Sequence, residues 1–130
     1  MATRFWLPQR VLFHYTSAQA AEALRRDALD GEAFFVVGVG AHYGHGLYAT
    51  DLDPLGTSAE EVNTECFHGT RSASELNGVL VLDAVRGAFE HVLGHIWLLE
   101  DEPVAAIDLI DLLVGTGVHD DVDGWALRAL

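Results

Sequence analysis

Apolar positions along the chain fall in short runs of strand length, and twice they switch to helical spacing. Arg10-Val11-Leu12-Phe13-His14-Tyr15, following a turn at Pro8, reads as a short buried strand. Thr16 and Gln19 then have capping-box spacing, and Ala20, Ala23, Leu24 and Ala28 recur at helical intervals. Residues 33–38 form a second apolar run, followed by a glycine-rich loop that leads into Leu47-Tyr48-Ala49-Thr50-Asp51. Pro54-Leu55-Gly56 closes that segment, and Thr57 and Glu60 form a second capping-box pair opening a helix to about Phe67, with Gly69 as its stop. Asn77-Gly78 predicts a turn before a strand at 79–82. Further strands are predicted at 94–99 and 104–112, and one short helix at 120–130 that packs Trp125 and Leu127. Two helices among some six strands make an α+β domain.

Composition narrows this picture. A chain of 130 residues, 50% apolar and 21% charged, has the length of one domain (1–130) with its own core and is not a disordered segment. The lone Cys66 leaves no intrachain disulfide framework and reads as a small buried hydrophobe. No stretch approaches the ~20 apolar residues of a membrane span, and no signal h-region is present. The expectation is a soluble cytoplasmic domain with no membrane partner, or one delivered into a target cell by a route the sequence does not show. Twenty acids face seven bases, all of them arginine, for a net charge of −13. A field of that sign repels phosphate backbones, so nucleic acid is not an expected partner; it favours a basic protein partner or serves solubility.

Two segments carry polar groups where packing alone does not ask for them. His14-Tyr15-Thr16 ends a strand where a helix begins, and the free N–H groups of a helix start suit a carboxamide or an anion. Alone, His14 reads as a core-edge histidine bonded to a carbonyl. The second segment, Tyr43-Gly44-His45-Gly46-Leu47-Tyr48-Ala49-Thr50-Asp51, gives close backbone approach at its glycines and a flat aromatic face at Tyr48. Tyr15 and Tyr43 read equally as packing residues with surface hydroxyls, and Asp51 as a loop or capping acid. The spacings His42-x-x-His45 and His91-x-x-x-His95, with His119, keep a zinc site open as a different class of function.

His14-Tyr15-Thr16 followed by Gly46-Leu47-Tyr48-Ala49-Thr50-Asp51 resembles the diphtheria-toxin and PARP class of ADP-ribosyltransferases. Within that class it is most similar to bacterial polymorphic-toxin domains with a His-Tyr-Asp signature. The resemblance implies an α+β fold with a split β-sheet core, two or three short helices and a cleft for NAD, with no metal. It further implies that His14 bonds the nicotinamide-side ribose or the adenosine of NAD, the Tyr15 main chain clamps the carboxamide and Tyr48 stacks on the nicotinamide. Thr16, Tyr43, Gly46 and Asp51 complete the cofactor-binding set. The implied function is mono-ADP-ribosyl transfer by a toxin or effector to a protein target, with an immunity protein as a possible second partner. NAD hydrolysis and a non-catalytic NAD-fold module are the alternatives. The class carries an acid at the start of a late strand, where this chain has His95, with Glu90, Glu100 and Asp101 nearby. His95 therefore stands with His14 and Tyr48 as a catalytic candidate. The second stacking aromatic of the toxin pattern is absent, since Ala59 and Glu60 stand there.

Overall fold

The structure is a computed structural model that describes residues 4–7, 9–36, 46–100 and 106–130. Its strands are β1 (Val11–Thr16), β2 (Phe34–Val36), β3 (Gly46–Thr50), β4 (Gly78–Asp83), β5 (Glu90–Leu93), β6 (Ile96–Glu100), β7 (Ala106–Asp108), β8 (Leu113–Asp120) and β9 (Gly124–Ala129). Two α-helices, α1 (Ala18–Leu29) and α2 (Ala59–Phe67), complete the α+β fold. Seven strands form one sheet in the order β5-β6-β3-β1-β4-β8-β9, and β2 pairs with β7 apart from it. All pairings are antiparallel.

The apolar run at 79–82 is continuous because β4 is covered on both faces. Leu80 and Leu82 enter one cluster with Leu12, Leu47, Ala49 and residues of α1, while Val79 and Val81 enter another with Phe13, Tyr15, Trp6 and Val62 of α2. All four β4 side chains are fully buried. Alternation along β1 sorts its residues the same way, so Leu12 and His14 project on the α1 face and Phe13 and Tyr15 on the α2 face. Arg25 of α1, buried at 8% exposure, donates to the carbonyls of Arg128 and Ala129 and ties the helix to the end of β9.

The seven-stranded sheet is almost divided. β1 pairs β4 from Val11↔Asp83 through Thr16↔Gly78, but it pairs β3 at Phe13↔Thr50 alone. Past Phe13 the β5-β6-β3 half and the β1-β4-β8-β9 half separate.

Several sequence expectations are corrected. Ser17 and Ser58 cap the helices in place of Thr16 and Thr57, because their hydroxyls accept from the N–H groups of Ala20 and Glu61. The segment 120–130 is a hairpin strand and not a helix. Asp120 Oδ1 accepts from Val122 and Asp123 N–H groups, which turns the chain, and β9 runs back along β8 from Asp120↔Gly124 to Gly115↔Ala129. Within 104–112, only Ala106–Asp108 is strand among the described residues; Leu112 N–H bonds the Leu109 carbonyl in a turn. Strand β8, absent from the expected set, looks like a loop in sequence because of Gly115 and Gly117. A Cβ on Gly115 would meet the Phe5 ring and the Arg128 carbonyl, so the missing side chain lets neighbours cover the strand.

Gly78 holds the corner where β1 becomes α1. A Cβ there would lie 2.6 Å from the Ser17 carbonyl carbon and 2.9 Å from the Ala18 nitrogen, both rigid backbone. Gly78→Ala is expected to destabilise the protein by ~1–3 kcal/mol in urea unfolding, through overpacking. Gly56→Ala, with nothing within 4 Å of the added carbon, is the control, expected to shift stability by less than ~0.5 kcal/mol.

Candidate functional site

The two motif segments meet at the division of the sheet. His14 Nδ1 donates to the Tyr48 carbonyl at 2.7 Å, so a side chain of β1 reaches the backbone of β3 where the ladder is missing. A carbonyl only accepts, so Nδ1 carries the proton and Nε2 of the neutral ring carries a lone pair. The ring packs edge-on to Phe35, with centroids 4.8 Å apart. His14 is thus bonded to a carbonyl, as the plainer sequence interpretation has it, and that carbonyl belongs to the other motif.

Tyr15 divides its groups between two tasks. Its side chain is buried and its hydroxyl donates to the Leu52 carbonyl at 2.7 Å. Burial, then the charges of Asp53 and Cys66, push this phenol well above its ordinary range, so it stays a neutral donor. The hydroxyl is structural. The Ala84 N–H bonds the Arg10 carbonyl, which aims the backbone groups of alternate residues 10, 12, 14 and 16 at β4 and those of Tyr15 at the β3 side. No β3 residue pairs with Tyr15. Its N–H and C=O therefore face the split, as a donor and an acceptor side by side.

A cavity of about 350 Å³ opens beside this edge, lined by His14, Tyr15 and Thr16 from β1 and by Phe67, Arg71 and Glu75 from the α2 side. Tyr48 is not among its lining residues. With Leu47 and Ala49 in the α1-side cluster, the half-buried Tyr48 projects on the opposite face, the one that carries α2 and the cavity. Gly46 opens β3 opposite Glu100, and Thr16 ends β1 opposite Gly78. The start of α1 offers fewer free donors than the sequence implies, because Ala18 N–H bonds Asn77 Oδ1 and Ala20 N–H bonds Ser17 Oγ.

His95 does not start a strand. It sits with Gly94 in the turn of the β5-β6 hairpin, where Gly94 has φ +52°. Its Nδ1 donates to Asp51 Oδ1 at 2.6 Å, with both side chains about half exposed. Two candidates from distant parts of the chain are therefore one hydrogen-bonded pair, just past the end of β3 and three residues on from Tyr48. The turn geometry that places His95 has its signal in Gly94. The cavity residues Phe67, Arg71 and Glu75 were not singled out from sequence; the available signal was that Arg71 is the sole base between Arg26 and Arg86.

Tyr43, His42 and His45 lie outside the described residues. Among the described residues no three His, Cys, Asp or Glu side chains gather to hold a metal ion. His91 Nε2 donates to the Gly94 carbonyl and His119 packs on Trp125. Cys66 is half-buried among the α2-side residues, and burial pushes its thiol above the ordinary range, partly offset by a Thr50 hydrogen bond. No described helix is long and apolar enough to cross a membrane. No protein-family model matches the chain, and neither a curated protein nor a solved structure matches it.

Burial lowers the His14 pKa from the ordinary 6.5, and the Tyr48 carbonyl only partly opposes this. The unfolded chain then binds a proton near 6.5 that the folded chain does not, so stability present above that pH is lost as pH falls through it toward the lower folded value. His14→Gln keeps a donor for the carbonyl and removes the titration. Between about pH 7.5 and about pH 5.5, the urea midpoint is expected to fall more for the wild type than for His14→Gln.

Proposed function

We propose that this chain is an NAD-dependent mono-ADP-ribosyltransferase that modifies a protein. The observation that carries the proposal is the His14–Tyr48 bond of 2.7 Å, which joins the two motif segments across a split sheet beside the Tyr15 backbone, whose groups face β3 without a register partner there. A carboxamide presents one donor and one acceptor, which matches the Tyr15 N–H and C=O. A nicotinamide held there leaves its ring on the face to which Tyr48 projects. Orientation of this kind supplies several kcal/mol of a barrier when the leaving group is fixed in line with the attack.

In this reaction the bond from ribose C1′ to the nicotinamide nitrogen breaks and the neutral base leaves with the bonding pair. The cationic sugar is taken by an acceptor nucleophile, which gives up its proton. In this reaction the hydrogen-bonded Asp51–His95 pair takes the part that a single carboxylate has in the family pattern. Asp51 fixes the imidazole through Nδ1, leaving Nε2 to take the acceptor's proton. Its separation from Tyr48 suits contact with the acceptor and not with the nicotinamide.

The test is NAD labelled in its adenylate half, incubated with the chain and a cell lysate, following nicotinamide release and label on protein. Asp51→Asn and His95→Ala are each expected to lower protein labelling by ~100-fold or more. Tyr48→Ala is expected to lower nicotinamide release with little change in melting temperature. Label that appears only as free ADP-ribose makes the chain an NAD glycohydrolase. No nicotinamide release at all overturns the enzymatic proposal.

A further inference from the structure

Arg71 lines the cavity and has no part in the sheet, the core or the Asp51–His95 pair. Its backbone is clamped from α2: Asn63 Oδ1 accepts from Arg71 N–H at 3.0 Å while Asn63 Nδ2 donates to the Arg71 carbonyl at 2.8 Å. The guanidinium lies over the Phe67 ring at 5.2 Å, a stacking that orients its flat donor edge. Its one carboxylate contact among the described residues is long, 3.4 Å to Glu75 Oε2, between side chains about half exposed. Glu75 is held more closely elsewhere, since Oε1 accepts from Ser72 N–H at 3.1 Å and from Ser72 Oγ at 3.0 Å. Those Ser72 bonds, ahead of Arg71, keep the Glu75 carboxyl below its ordinary range and therefore charged. Such an exposed i,i+4 pair contributes little to stability, so clamping Arg71 at a cavity wall needs another reason.

We propose that Arg71 and the cavity beside it form the subsite for the diphosphate of a nucleotide, with the guanidinium binding phosphate oxygens in place of Glu75. This rests on the NAD assignment for the identity of the nucleotide, and on the cavity and the Asn63 clamp for the anion. The cavity, at about 350 Å³, is at the small end of ligand sites, the size for one half of a dinucleotide and not the whole. The other half extends past His14 to the Tyr15 edge. A chain of net charge −13 repels a dianion almost everywhere, so a phosphate needs a local cation, and planar guanidinium recognition of paired phosphate oxygens fits that need. Helix α1 cannot take the role by itself, because the Ala18 and Ala20 N–H groups are already bonded.

The experiment is calorimetric titration of the whole chain at low ionic strength with inorganic pyrophosphate, NAD and nicotinamide, each against wild type, Arg71→Gln and Glu75→Gln. Arg71→Gln is expected to weaken pyrophosphate and NAD by at least ~10-fold, as loss of a charge-assisted bond does, and to leave nicotinamide unchanged. Glu75→Gln is expected to tighten pyrophosphate a few-fold by removing the competing carboxylate, an effect a purely structural role does not give. Both variants keep the Asn63 clamp, which holds backbone atoms, so circular dichroism is expected to match the wild type. NAD binding that is indifferent to Arg71→Gln overturns this inference and leaves the NAD assignment standing. Pyrophosphate binding that depends on Arg71 without any NAD binding does the reverse. Failure to bind pyrophosphate overturns the subsite.

Discussion

The hydrogen bond from His14 to the Tyr48 carbonyl is the constraint around which the molecule is arranged. In most sheets neighbouring strands are joined by a ladder that repeats every two residues. Here β3 follows β6 over its whole length and β1 follows β4 over its whole length, yet β1 and β3 share one register pair. An imidazole spans the opening that results. A net gain of ~1 kcal/mol is typical of one such bond, less than a continued ladder would provide. The opening leaves Tyr15 without a register partner in β3, and backbone groups outside a ladder are open to water or a ligand. Weaker pairing at this one place and a polar edge available to a ligand are two consequences of the same geometry.

What allows the sheet to open without falling apart lies on either side of it. Strand β4 is buried on both faces and carries β1 on one edge and β8 on the other, so the larger half is a packed unit in its own right. The close approach at Gly78 lets the end of β1 turn directly into α1 over that unit. Arg25 then fastens α1 to the last strand, its two carbonyl bonds offsetting the burial of its guanidinium. The smaller half is held by different means. Tyr15 bonds Leu52 just beyond β3, and Arg4 pairs with Asp53 at 2.8 Å in the same corner. Side chains of the larger half and of the N-terminal segment thus grip the segment after β3, while the strand itself stands off.

Much of this was legible in the sequence, and the losses have physical causes. β1, β4 and α1 carry clear apolar patterns, and α2 carries its signals at its ends, a hydroxyl and acid at the start and Gly69 just past Phe67. The helix caps moved by one residue because Thr16-Ser17 and Thr57-Ser58 each offer two adjacent hydroxyls, and only backbone direction decides which one faces the helix. The terminal hairpin was missed because Trp125 and Leu127 alternate as a strand does, in a stretch too short to exclude a helical pattern. At the site, residue types within each motif could be read locally: the histidine, the tyrosine and the acid stood in fitting positions. Their partners could not. That His14 meets the backbone of Tyr48 and not its ring, that His95 turns out to Asp51, and that Arg71 comes round to the end of β1 are all products of long-range pairing. No local pattern encodes them.

The charge distribution gives the proposed chemistry its character. Fields from distant carboxylates fade within a Debye length of ~8 Å at physiological salt, so the overall excess of acid matters less at the reacting carbon than the few groups beside it. Of the acids at the end of β3, Asp53 is paired with Arg4 and its charge is largely balanced. Asp51 is paired with an imidazole, which balances nothing while neutral and cancels the carboxylate once protonated. In the proposed reaction the neutral His95 imidazole is the base able to take the acceptor's proton. Asp51 holds that base in place through Nδ1, whereas a lone carboxylate in that position would supply the charge without a base of this kind. In the proposed reaction, then, a histidine held by an aspartate stands in for the acid of the family pattern.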